Sequence, residues 1–410
     1  MPIPLLRAAL VAAAFLPALA PADPLSLDQA LRLAVQRSEA ARARRATSDG
    51  AQAAAQAARQ QPDPTLHIGV DNLPVTGADR FSTARDSMTL KRIGVSQEWL
   101  SADRRAAREA AALAVGDRDA VQASAAEADA RLQTALAYVD AWYADATLKL
   151  SMEAEHHIHE ELDAARARLA AGATGSPEIL RLQASQGLAE DDSEEARQQQ
   201  AAALLALQRW TGIKSDPLLP PPDWSTPTED DYLARFPALS MLEREVDVAR
   251  TAATVTAQDR HPSWTWDVSY GQRTGFSNMV SVGISVPLPI APGQRQDREL
   301  ASRLARVDQA GAELAEAQRA ARLEYQTLRS DAERLQQRLD RYQAAVVVPL
   351  RQRTEAALAA YRSNQAPLTT VFEARHMELD SQRRQLQLRH ELSKVQAQLV
   401  FKPIAAGAFR

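Results

Sequence analysis

The 410-residue sequence contains no cysteine. That absence excludes disulfides, thiolate metal sites and a lipid-bearing N-terminal cysteine. Aromatic residues are scarce at 5%, although 45% of the chain is hydrophobic. Alanine makes up much of the difference. A chain rich in Ala, Gln, Arg and Glu favours long helices around a thin core. Beyond the N-terminus no apolar run approaches the about 18 residues of a transmembrane helix. A net charge of −4 leaves no basic footprint for nucleic acid. G-x-S-x-G, H-E-x-x-H, a phosphate loop and a cysteine nucleophile are all missing, so nothing points to an enzyme or to a bound cofactor.

The N-terminus reads as an export signal. Arg7 precedes the apolar run AALVAAAFLPALA, and Ala20 and Ala22 fit an A-x-A site. Cleavage is expected after Ala22, because cleavage after Ala20 would leave Pro21 at the new terminus. An exported chain without a transmembrane helix is periplasmic, secreted or an outer-membrane β-barrel.

Short alternating segments favour the barrel. In MVSVGISV, Val280, Val282, Ile284 and Val286 point one way, while Ser281, Gly283 and Ser285 point the other. In SWTWDVSYG, Trp264, Trp266, Val268 and Tyr270 face one side, and Ser263, Thr265, Asp267 and Ser269 the other. Ile93 and Val95 alternate with Gly94 and Ser96 in the same way. One apolar face and one small polar face is the pattern of a membrane barrel wall. Trp99, Trp264 and Trp266 are expected at headgroup level.

The plan occurs twice. A helix (Leu25–Gln61; Thr228–Arg260) leads to two strands ending near Trp99 and Ile290. A long helix follows (101–171; 294–362), then a break at AAGATGSP or RSNQAP, then a returning helix (177–211; 367–401). Gly94 and Gly283, like Pro177 and Pro367, are offset by about 190 residues, which indicates duplication. The expected organisation is a signal peptide (1–22), a first repeat (23–211), a Pro-rich linker (212–231), a second repeat (232–401) and a short tail (402–410).

Leu132, Leu136, Val139, Tyr143, Ala146 and Leu150 keep a 4-3 spacing, as do Leu328, Ala332, Leu335, Leu339, Tyr342 and Val346. Such spacing predicts narrow coiled-coil seams. The second seam slips by four residues from Val346 to Leu350 beside Pro349, which predicts local unwinding and a kink. A helix of about 70 residues is about 105 Å long, so something must be spanned. Lipid does not tolerate the open edges of a four-stranded sheet, and the smallest bacterial barrels have about eight strands. Several protomers must therefore share one barrel.

With these features in this order, the chain resembles the TolC family of outer-membrane efflux channels. The resemblance rests on LSLDQALRLAVQRS, the two strand pairs, VPLPIAPGQR and the two helix breaks. It implies a mainly α fold with a small β part: a homotrimer with a coiled-coil α-helical barrel across the periplasm and a shared twelve-stranded barrel in outer-membrane lipid. A finer resemblance is to the heavy-metal branch, carried by PDPTLHIGVDNLPVTGADRFS, MTLKRIGVSQEW, VPLPI and Val348-Pro349-Leu350. That branch implies a passive conduit for metal cations, joined through a periplasmic adaptor to an inner-membrane RND pump. A multidrug or type I secretion channel of the same fold is the alternative. RLAAGATGSPEIL matches the family's adaptor-contacting turn, with Arg168 and Gly172 at its arginine and tip glycine. In YRSNQAPLTTVFEAR, Asn364 stands where the family has glycine. Glu373 matches one acid of the family's closed ring, and Thr370 occupies the place of the other.

The most metal-like stretch is EHHIHEE. His156, His159 and Glu160 fall on one helix face by i, i+3 and i+4 spacing, and imidazole with carboxylate suits Zn or Cu. The alternative is an exposed polar helix face.

Overall fold

The structure, a computed structural model, describes residues 24–172, 175–214 and 217–404. The expected signal peptide, with Ala20 and Ala22, lies outside the described residues, as do residues 405–410 of the tail. Among the described residues no helix is long and apolar enough to cross a membrane.

The first expected helix is two, α1 (Leu27–Gln36) and α2 (Glu39–Ala58). Ser38 divides them: its backbone is extended and its hydroxyl accepts a hydrogen bond from the Ala41 N–H at 3.3 Å. A serine that caps a new helix ends the old one. The helix expected over Thr228–Arg260 also divides, into α5 (Glu229–Ala234) and α6 (Pro237–Gln258). Pro237 opens α6, where a missing N–H costs nothing.

The long elements are α3 (Ala102–Ala170) with α4 (Ser176–Thr211), and α7 (Gln296–Tyr342) and α8 (Val348–Arg362) with α9 (Leu368–Phe401). Between α7 and α8 lies a π turn, Gln343–Val347. It absorbs the slip seen in the sequence by widening the helix locally. Pro349 follows directly after this turn, as the second residue of α8, so the irregularity and the proline fall together in one continuous helix.

Helix α3, about 100 Å long, packs on α1, α2, α4, α6 and α9. Its seam is accordingly broader than the 4-3 spacing predicts. Ala135, Tyr138 and Ala141 are buried as well as Val139 and Tyr143, because alanine lets neighbouring helices approach from several sides. Leu27, Ala30, Tyr138, Leu207 and Ala397 form one core around α3. The Tyr138 hydroxyl, with one proton to share, lies 2.8 Å from the Leu25 carbonyl and 2.7 Å from the Leu219 carbonyl, tying the Pro-rich segment to the start of the chain. A second core gathers Tyr232, Phe236, Tyr325, Leu392 and Leu399. There the seam stays narrow: Ala332 is buried with Leu328, Leu335 and Leu339 half-buried beside it.

Four strands, β1 (Thr65–Asp71), β2 (Leu90–Trp99), β3 (Trp264–Gln272) and β4 (Met279–Ser285), form one antiparallel sheet in chain order. β4 stops short of the expected Ile290. Pro287 and Pro289 supply no N–H, so the ladder ends before them.

Candidate functional site

The strand register sorts the side chains by face. Leu66, Val95, Val268 and Val282 form one cross-strand row, and Ile68, Ile93, Tyr270 and Val280 the next. These rows lie open: Ile68 is 75% exposed and Val282 72%. An uncovered apolar face of this size marks a surface that another apolar phase must cover. At the helical end of the sheet Trp99 pairs in register with Trp264, their rings stacked at 5.9 Å, and Trp266 lies opposite Gln97.

The other face carries His67, Gly94, Ser269 and Ser281 in one row and Thr65, Ser96, Asp267 and Gly283 in the next. His67 Nε2 and Ser96 Oγ are 2.8 Å apart, and Arg92 meets Asp71 at 3.0 Å. Glycine is required where this face is crowded. A Cβ on Gly94 would lie 2.6 Å from the Ser269 Cβ, and one on Gly283 would meet the Asp267 carboxylate. Among the described residues β1 and β4 have no outer strand partner, so the sheet has two open edges.

At the far end of the helices are two turns. Gly172 follows α3 with φ +72°, and its N–H donates to the Leu169 carbonyl at 2.9 Å. Asn364 follows α8 with φ +61°, and its N–H donates to the Tyr361 carbonyl at 3.0 Å. Asn364 thus takes the left-handed conformation for which glycine is the usual choice. Both turns are exposed, and a proline opens the next helix in each case: Pro177 within the first turn of α4, Pro367 at the cap of α9. Arg168 sits in the last turn of α3, close enough to add to the attraction on Glu178. Arg181 grips that carboxylate through two hydrogen bonds (3.1 and 2.8 Å) and holds it below its ordinary range. Thr370 is half-buried and Glu373 exposed, one turn apart on α9.

Between the hairpins lies a carboxylate that the motifs do not reveal. Glu161 on α3 is only 8% exposed, 3.4 Å from His376 of α9 and 3.6 Å from Arg181 of α4. Burial pushes its carboxyl up, His376 and Arg181 pull it back, and Glu178 and Glu373 add repulsion. Beside it the exposed Glu160 meets Arg375 at 3.4 Å. Further along, Asp140 meets His390 and Lys394, and Asp192 of α4 meets Arg383. A polar seam therefore joins the two hairpins. Its partners lie far apart in the sequence, which leaves no local pattern to find.

The histidine cluster separates in space. His156 stands outward, 70% exposed, 3.5 Å from Glu160. His159 turns instead to α4, where its Nε2 lies 3.3 Å from Glu190. Among the described residues, those that converge with a ligand atom each are Glu155, His159 and Glu190. Glu190 comes from the next helix, so helix spacing alone did not include it.

No family model matches the sequence, and no curated protein matches it. Solved structures do. The outer membrane protein VceC of Vibrio cholerae is 18% identical over 92% of this chain and 95% of its own, with a TM-score of 0.74. A membrane protein from Pseudomonas aeruginosa is 17% identical over 92% and 89%, at 0.76. The open state of the Neisseria gonorrhoeae MtrE outer membrane channel is 16% identical over 93% and 89%, at 0.74. The chain has the fold of these membrane proteins. At such identities it is architecture that is shared, namely long helices joined to a small antiparallel sheet. Nearly the whole length of this chain takes part in that shared fold.

Proposed function

We propose that the chain is one protomer of a homotrimeric efflux channel of the TolC family in the outer membrane of a Gram-negative bacterium. One observation carries this reading: an exposed apolar sheet face with two open edges runs directly into helices about 100 Å long. Three such sheets, edge to edge, make a twelve-stranded barrel without edges, which is the only form of sheet that lipid accepts. The outer-membrane channels of the same fold support the location. In this reading the helices extend through the periplasm, residues 23–211 and 232–401 are two repeats joined by 212–231, and transport is passive.

The exposed turns at Arg168, Gly172 and Asn364 are the proposed contacts for a periplasmic adaptor, which links the channel to an inner-membrane RND pump. Glu373, beside Thr370, is the proposed source of charge selection at the tip, where a symmetric ring of carboxylates attracts cations. The sequence resemblance to the heavy-metal branch supports metal cations as the cargo.

Two measurements test the proposal. Membrane fractionation and native mass measurement should give an outer-membrane trimer; a soluble monomer would overturn the channel. A strain lacking the gene should then lose tolerance to zinc, cobalt, cadmium, copper or silver, restored by the intact gene. Sensitivity to drugs and detergents alone would overturn the cargo and keep the channel.

A further inference from the structure

We propose that Glu155, His159 and Glu190 form a binding site for one borderline divalent cation of the zinc class, stapling α3 to α4. Glu155 and His159 lie one turn apart on α3, and Glu190 reaches in from α4; one ligand atom from each lies within 4.8 Å of the other two. Ligands on a tetrahedral zinc with bonds of about 2.1 Å sit roughly 3.4 Å apart. His159 Nε2 and Glu190 Oε1 are already 3.3 Å apart.

A neutral side chain bridges two of the three ligand atoms. The Gln186 side-chain nitrogen lies 2.8 Å from both His159 Nε2 and Glu190 Oε1. This one amide group therefore gathers a ligand atom of α3 and a ligand atom of α4. Neither Glu155 nor Glu190 has a lysine or arginine within 4 Å among the described residues. The neighbouring histidines differ. His156 and His157 meet Glu160 within a single helix, and Glu160 is already neutralised by Arg375. Among the described residues, the trio brings together two carboxylates without a lysine or arginine partner and one imidazole, from two helices.

The ligand class follows from the donors. One imidazole with two carboxylates suits zinc, cobalt, nickel or copper, whereas magnesium and calcium take oxygen alone. Because the site lies on the exposed side of the α3–α4 pair, waters complete the shell. The bound ion would resist separation of the two helices of the first hairpin. This inference does not depend on the cargo of the channel.

The test uses the mature full chain in detergent, with no polyhistidine tag, stripped with a chelator and titrated with Zn²⁺ by calorimetry. One Zn²⁺ per chain is expected, with a rise in apparent melting temperature. His159→Ala and Glu190→Gln should each weaken binding at least about tenfold and abolish the thermal shift, while His156→Ala should leave both unchanged. Glu190→Gln replaces one exposed oxygen with an amide, so it keeps the test decisive if His159→Ala does not fold. The proposal is overturned by absence of stoichiometric Zn²⁺, by loss of binding in His156→Ala alone, or by Ca²⁺ competing as well as Zn²⁺.

Discussion

His390 donates from Nε2 to Asp140 Oδ1 at 2.7 Å, across 250 residues of sequence and between α9 and α3. Lys394 reaches the same oxygen at 3.0 Å. The His390 ring stacks on Tyr143, whose hydroxyl lies 3.0 Å from Ser393 Oγ. Burial works against the charge on Asp140, but the hydrogen bonds and charges of His390 and Lys394 outweigh it and hold the carboxyl below its ordinary value. A carboxyl held low in the folded state stabilises fully above its unfolded pKa and loses that contribution as the pH falls through its folded value. Asp140→Asn should therefore cost about 1 kcal/mol at neutral pH, allowing for solvent screening of a pair about one-third exposed. Melting curves should show that gap constant down to about pH 5 and closing below the ordinary aspartate range. A gap that widens in acid would refute the assignment.

Glu161 with His376 and Glu160 with Arg375 provide an internal comparison. The two pairs are adjacent, both join α3 to α9, and both span 3.4 Å. They differ in burial, since Glu161 is enclosed and Glu160 open. Removing one member of an enclosed pair leaves the other polar group without water, at about 1–3 kcal/mol. An open pair is worth roughly 0.2–1 kcal/mol. Double-mutant cycles with alanine should give the larger coupling for Glu161–His376. Equal couplings would mean that water reaches both.

Gly94 and Gly69 test the sheet. A side chain at Gly94 collides with Ser269 and closes on the Val268 carbonyl at 3.0 Å, whereas a Cβ on Gly69 meets nothing within 4 Å. In the proposed barrel, Gly94→Val should lower the yield of folded oligomer, with an overpacking cost of about 1–3 kcal/mol. Gly69→Ala should behave as the natural protein. The readout is the fraction of oligomer that resists dissociation in unheated detergent gels.

Much of this was legible beforehand, for identifiable reasons. The two-residue period of Trp264 to Tyr270 and of Val280 to Ile284 set the sheet faces, because alternation leaves no freedom once a strand forms. Gly172, Pro177 and Pro367 marked the hairpin turns, because each carries its backbone preference locally. Ser38 and Pro237 carried helix-start signals too, yet each lies inside a long helix-favouring stretch, which hid the breaks. The slip beside Pro349 signalled an irregularity without saying that it was a π turn. The polar seam of Asp140, Glu161, His376 and His390 left no trace, because the rotation of each long helix is set by packing against distant elements. Glu190 was missed as a companion of His159 for the same reason.

The two turns make a matched pair for backbone strain. Gly172 and Asn364 both hold positive φ, at +72° and +61°. Alanine in that conformation costs about 1–2 kcal/mol, while asparagine is better tolerated. Gly172→Ala should lower stability by about 1 kcal/mol, and Asn364→Gly should be neutral or slightly stabilising. Thermal unfolding of the two variants side by side checks this. A stabilising Gly172→Ala would mean that the first turn is not left-handed in solution.

Glu373 bears on selectivity. It is exposed one turn after Thr370, and its charge reaches Glu161 in the seam behind it. If three copies surround a pore, Glu373 supplies three carboxylates to one ring, and Thr370 supplies none where a second ring would form. A charge ring acts on ions mainly within a Debye length, about 8 Å at physiological salt. Glu373→Gln should therefore reduce the preference for cations over anions in planar bilayers, most clearly at low salt. Thr370→Asp should raise that preference and narrow the conducting state, since a second carboxylate one helical turn away adds to the same field. Glu161→Gln serves as the control: it alters an almost enclosed charge within the seam and should leave ion selectivity unchanged. If Glu161→Gln shifts selectivity and Glu373→Gln does not, the acidic ring is absent and Glu373 is a solvated helix carboxylate.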